Sequence, residues 1–319
     1  MTEIRKKLGF EVLLENFFLN LGRLVLTNLI FAVPVAVAVI ITYGLSMLLP
    51  EPILVFPLVA VFAAPFYPGV VTLSRDIATG AYSGGMLRTY IGSVKDNWFR
   101  SLITSIVLYG AFVLCYFSIT VYSIIANGYW LIYLFIFVVA LIALFFLFFS
   151  YAVYLMIVSF DLKMKDIFKN SALMTFGEIK QNFFITFACV LFLAVVLMPA
   201  LFILHLSNVM PSVIVSVLLF TYLGLVFATI IPASCSFFVS YYLYPNMRSV
   251  IAGERGTDPE EETNTSVKVI SEQIRTSADE DMEALCQGDP DEYIFYNGKM
   301  LKRSTLVSIM EEKKEDKNA

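Results

Sequence analysis

The chain has 319 residues, 59% of them hydrophobic, with a mean hydropathy of +0.78 and a net charge of −4. A water-soluble domain is excluded: stretches 101–160 and 181–247 carry no Asp, Glu, Lys or Arg, and only hydrocarbon tolerates apolar runs of that length. The charge is divided between two regions, with 12 basic and 9 acidic side chains in residues 1–247 and 10 basic and 17 acidic ones in 248–319.

In chain order, residues 3–19 set Ile4, Leu8, Val12, Phe17 and Phe18 among charges, the pattern of an amphipathic helix lying on the membrane surface within an N-terminal segment 1–23. The first apolar run starts at Leu24 and ends near Pro50, well beyond the roughly 7–15 residues of a cleaved signal core, so it reads as a retained transmembrane helix. Since a crossing needs about 20 apolar residues, the uncharged runs divide into six, at 24–49, 53–74, 101–125, 129–159, 183–206 and 212–243. The breaks fall on turn-forming residues: Pro50-Glu51-Pro52, Ala126-Asn127-Gly128, and Ser207-Asn208 before Pro211. The fold class expected is an all-α integral membrane protein with a six-helix domain over 24–250, arranged as three hairpins with cytoplasmic amphipathic helices.

Lys and Arg orient the crossings. Arg5, Lys6, Lys7 and Arg23 precede the first. Arg75, Arg88, Lys95 and Arg100 flank the second connection, Lys163, Lys165, Lys169 and Lys180 the fourth, and Arg248 and Arg255 follow the sixth. The opposite loops have none, so both termini are expected in the cytoplasm of a cell membrane, by the positive-inside rule.

Two of these connections resemble each other at an offset of 85 residues: Asp76, Gly92, Lys95 and Asn97 match Asp161, Gly177, Lys180 and Asn182, and Trp98-Phe99 falls on Phe183-Phe184. Asn20, Arg23 and Thr27 are spaced like Asn97, Arg100 and Thr104, giving three tandem units, each a short helix and a hairpin. Asn20, Asn97 and Asn182 stand where helices enter the membrane and read as caps or interfacial hydrogen-bonding groups, with ligand binding as the sharper alternative. Trp98 and its aromatic neighbours fit a headgroup-level belt. Arg23, Arg100 and Asp161 complete the candidate interaction residues of the membrane domain.

Ionisable groups inside the hydrocarbon usually mark proton relays, ion coupling or catalysis. Glu51 and His205 lie at helix ends, and no phosphate loop or metal-ligand cluster occurs, so neither enzyme activity nor a cofactor is expected. Cys115, Cys189 and Cys235 sit in apolar segments and read as small buried hydrophobes, with Cys286 a free thiol in the tail. Pro57, Pro65 and Pro68 predict a second crossing that is kinked or partly unwound, and unwound backbone at membrane depth must be covered or face a cavity.

Residues 251–319 form an acidic cytoplasmic tail. To about 290 it has the composition of a linker. Then Tyr293-Ile294-Phe295-Tyr296, Asn297-Gly298 and Lys299-Met300-Leu301-Lys302 predict a β-hairpin, too small to stand alone and so expected to dock on the membrane domain or on a partner. Tyr293 and Tyr296 are its candidate interaction residues, and Ser304 is placed to cap a short helix beyond it.

Asn20-Leu21-Gly22-Arg23-Leu24 through Asn28 and Pro34, the segment 88–99, and Ser159-Phe160-Asp161-Leu162 through Lys169-Asn170 to Asn182 give the chain a resemblance to the YesL-like DUF624 family of bacterial membrane proteins, over roughly 15–250. The resemblance implies an accessory role beside a carbohydrate-uptake system, with a transporter complex as partner, and brings no catalytic residues with it. Three readings follow: a non-enzymatic accessory or scaffold, a facilitator of a neutral solute or lipid, and a membrane enzyme built on Asp76, Arg88, Asp161 and Lys163. Beyond the lipid bilayer and such a complex no partner is expected, nucleic acid included.

Overall fold

In hydrocarbon every backbone N–H and C=O must be paired within the protein, and the apolar runs meet that demand as helices. The computed structural model describes residues 9–48, 52–82, 84–126, 129–206, 211–251, 293–296, 299–305 and 307–308. They form α1 (Gly9–Leu19), α2 (Leu21–Ser46), α3 (Pro52–Val55), α4 (Leu58–Ala63), a 3-10 turn (Ala64–Phe66), α5 (Tyr67–Ala78), α6 (Met86–Ile125), α7 (Trp130–Ser159), α8 (Met164–Gly177), α9 (Ile179–His205), α10 (Ser212–Thr229) and α11 (Ile231–Ile251). The hairpin of β1 (Tyr293–Tyr296) and β2 (Lys299–Lys302) follows.

Six spans are long and apolar enough to cross a membrane: Leu21–Ser46, Ile53–Ala78, Met86–Ile125, Trp130–Ser159, Ile179–His205 and Ser212–Thr229. The expected multi-pass, all-helical class is therefore present. The second span is broken as its prolines require: Pro57 heads α4, Pro65 lies in the 3-10 turn, and Pro68 is at the start of α5. Pro34 and Pro199, by contrast, lie inside helices that continue through them.

Two expectations are corrected. The short helix before the third crossing is not separate. It is continuous with the span as α6, whose 40 residues make it about 60 Å long at 1.5 Å per residue. The sixth crossing is not one helix over 212–243. It breaks at Ile230, where φ is −136° and ψ −40°, because Pro232 has no N–H to bond the carbonyl of Ala228.

An inner layer is formed by α5, α11 and the end of α7, each in contact with the other two. The first helix of each hairpin packs outside it, always between two inner helices: α2 on α5 and α11, and α6 on α5 and α7. The third, α9, packs on α11 and reaches α7 through Phe148–Phe183 rings 5.1 Å apart and a 3.3 Å Tyr151–Thr186 hydroxyl pair. Close approach of α5 and α6 depends on Gly69, since a Cβ there would overlap the Tyr90 ring, whose hydroxyl donates to the Phe66 carbonyl at 3.0 Å.

The hairpin is antiparallel, with Tyr293 opposite Lys302 and Tyr296 opposite Lys299. Its second strand lies against α7, and Leu301 is buried. That contact supplies the support a lone two-stranded ribbon lacks. Ser304 lies within the helical residues 303–305 and not ahead of them. The linker before 293 and the segment from Ile309 lie outside the described residues.

Candidate functional site in the inner layer

The three asparagines of the repeated connections each donate backward to a carbonyl, but not at one spacing: Asn20 to Asn16 at 2.9 Å and Asn97 to Ser93 at 3.0 Å reach four residues back, the latter within α6, whereas Asn182 reaches seven back to Thr175 of α8 at 3.2 Å. None is a side-chain cap. Asn20 is at the N-cap position of α2 but makes no capping bond, and Asn97 lies within α6. Asn97 and Asn182 are buried. Thr27 and Thr104, seven residues beyond Asn20 and Asn97, and Thr186, four beyond Asn182, are each bonded to the carbonyl four residues earlier. Of the asparagines, Asn20 and Asn182 join a separate short helix to its span.

Arg23 donates to Asn20 Oδ1 at 2.8 Å and lies 4.9 Å over the Tyr82 ring. Arg100 pairs with Asp161 at 3.4 Å, on a partly exposed surface. Trp98 is exposed and meets the edge of Phe99. Asp76 and Asp161 bond different arginines, and Arg88 and Lys163 are exposed. Tyr293 and Tyr296 are placed on β1.

Sequence reasoning treated Arg75 as one more orienting charge. It is instead a core residue, 2% exposed, that reaches all three inner helices. From α5 its guanidinium donates to Val158 O at 3.1 Å and to Ser159 Oγ at 3.2 Å on α7, and stacks 5.7 Å from the Tyr244 ring of α11. Asp76 neutralises it at 2.7 Å. The available signal was position: Arg75 follows the uncharged run 52–74 with no turn residue between, so it stays on the helix.

A second residue of this kind is Asn28. In an unbroken helix Thr229 O would accept from Ala233 N–H. At the break between α10 and α11 the Asn28 side chain of α2 stands between them, donating to Thr229 O at 3.1 Å and accepting from Ala233 N–H at 2.7 Å. Ser74 Oγ completes the junction by donating to Ala233 O at 3.1 Å.

Tyr67 of α5 links that helix to α7 and α2: its ring meets Tyr154 edge-on at 5.1 Å and lies 5.9 Å from the Phe31 ring. Cys189 of α9 is buried and Cys235 of α11 half-buried in the same core. Elsewhere, a lateral groove of about 370 Å³ opens beside the broken second span. It is lined by Val33, Pro34, Val37 and Ile41 of α2 with Phe62 and Phe66. Its walls are apolar, so it suits an acyl chain and offers nothing to a sugar.

No group of three or more His, Cys, Asp or Glu side chains able to hold a metal occurs among the described residues. The chain matches no family model, no curated protein and no solved structure.

Proposed function

We propose that this multi-pass membrane protein is a non-catalytic accessory or scaffold subunit, holding another membrane complex through its short helices and its tail. One observation carries the reading: the buried charge of the inner layer and the carboxamide beside its helix break are spent on helix-to-helix contacts. Arg75 of α5 bonds α7 and stacks on α11, and Asn28 of α2 closes the break between α10 and α11. Such a centre supports assembly. The resemblance to DUF624 proteins makes carbohydrate uptake in a bacterial cell membrane the setting, and the distribution of Lys and Arg favours cytoplasmic termini.

The test is crosslinking and co-purification of the tagged full-length chain and of a form lacking 254–319 from the native membrane. A stoichiometric partner that is lost with the tail is the expected result. Absence of a partner with either form, together with solute flux in proteoliposomes, overturns it. The groove favours one alternative, a facilitator whose cargo is a lipid chain, which a lipid-transfer measurement in the same vesicles would reveal.

A further inference from the structure

We propose that the two repeated connections carry matched sites for the headgroup of an anionic phospholipid, one around Lys95 and one around Lys180. The repeat at an offset of 85 residues is a repeat of exposed side chains as well as of sequence. Ile91, Lys95, Trp98 and Phe99 of α6 fall on Phe176 of α8 and on Lys180, Phe183 and Phe184 of α9. The apolar members of both sets are between 43% and 67% exposed, and both lysines are exposed. The spacing i, i+4, i+7, i+8 puts the first set on one face of α6, turned away from the buried Tyr90, Ser93 and Asn97. In the second set Lys180, Phe183 and Phe184 are neighbours on the first turns of α9.

Position and pairing fix the chemistry. Arg100 is the last charge before the uncharged run 101–160, and Lys180 the last before 181–247, so both sets stand where spans enter hydrocarbon. Aromatic side chains favour that level. Arg100 is engaged with Asp161, whereas neither Lys95 nor Lys180 is paired with a carboxylate among the described residues. An ammonium at the headgroup level, with aromatic and aliphatic surface on its hydrocarbon side, matches a phosphate above and acyl chains below. A zwitterionic headgroup brings its own cation toward the lysine and an anionic one does not, so the anionic lipid is preferred. The first unit lacks the motif: aligned on Asn20, it places Phe18 where the lysine would be and Leu21-Gly22 where the aromatic pair would be. The chain therefore carries two such sites and not three.

Trp98 and Trp130 are the two tryptophans of the chain, so Trp130→Phe leaves Trp98 as the sole fluorescent reporter. The full chain carrying that substitution is reconstituted in phosphatidylcholine vesicles with a rising fraction of brominated phosphatidylglycerol or, separately, of brominated phosphatidylcholine. The expected result is quenching of Trp98 with a preference of about fivefold for the brominated phosphatidylglycerol, the worth of one lysine near an anionic surface. Lys95→Gln should abolish the preference and Lys95→Arg should keep it. The second site is read in the same way with Trp98→Phe, Trp130→Phe and Phe183→Trp combined, and Lys180→Gln as its test. Should that combination not fold, protection of Lys180 from acetic anhydride by phosphatidylglycerol in the unsubstituted chain decides. Equal quenching by the two lipids, a preference that Lys95→Gln or Lys180→Gln leaves intact, or no protection of Lys180 overturns the proposal. A loss at Trp98 as large from Lys180→Gln as from Lys95→Gln overturns it too, because only the summed charge of the face would then be acting.

Discussion

Along α7, residues 130–147 are exposed or half-exposed, whereas Phe148, Phe149, Ala152, Val153 and the run 155–159 are buried. The same division recurs. Beyond Ala111 in α6 no further side chain of that helix is buried, and beyond Cys189 in α9 only Ala200 is. The α10 segment buries Val215 and Val226 alone, yet α11, its continuation, lies in the inner layer. In α6, α7, α9 and the last hairpin the segment near a Lys/Arg-bearing connection is thus packed against protein and the opposite segment is largely exposed; the first hairpin departs from this, with Ala38, Thr42, Val55 and Val61 buried toward its far end. Hydrophobicity does not separate the two, because lipid tails are as apolar as leucine and provide no reason for helices to prefer each other. The carboxamides Asn28, Asn97 and Asn182 and the guanidinium of Arg75 do separate them, and they lie in the packed half. Polar pairing and close fit, not apolar burial, should therefore carry the stability of this bundle.

The comparison can be broken most decisively at Arg75. Arg75→Met leaves Asp76 without its cation and Val158 O without its donor in a buried site, so a loss of about 3 kcal/mol or more is expected in the detergent-solubilised protein, read as its unfolding midpoint. A wild-type midpoint would remove the basis of the contrast. Asn28→Leu strands Thr229 O and Ala233 N–H, and about 2 kcal/mol is expected from two buried unpaired groups. Hydrogen exchange should rise at Ala233 more than elsewhere in α11. Gly69→Ala should cost about 1–3 kcal/mol through overpacking, and combining it with Tyr90→Leu should recover part of that loss, as a shared contact requires. Asp161→Asn should change stability by less than about 1 kcal/mol, since the Arg100 pair is exposed and weak. Smallest of all, Leu134→Ala in the lipid-facing half of α7 should fall within about 0.5 kcal/mol. If it matched Gly69→Ala, the two halves would not differ in the way described.

Much of this architecture could be read from residues alone. Missing charge located six spans, although the third begins 15 residues earlier and the sixth ends 14 residues earlier than the uncharged runs suggest, and the offset between Asp76 and Asp161 pointed to related connections whose asparagines each donate backward to a carbonyl. Asn297-Gly298 foretold the strand pairing of Tyr296 with Lys299. What escaped was three-dimensional. Pro232 announced an interruption, but nothing near it in the chain names Asn28, which lies 201 residues from Thr229. Arg75 reads like any positive-inside charge until its helix is seen to run between two others.

Asn28 also bears on how the protein is made. Synthesis delivers the chain from its N-terminus, so the first hairpin is in the bilayer long before Thr229 and Ala233 leave the ribosome. The last hairpin then meets a carboxamide already in position for the two backbone groups that its own proline prevents from pairing. A chain that ended before residue 229 would leave the Asn28 carboxamide without either of these partners.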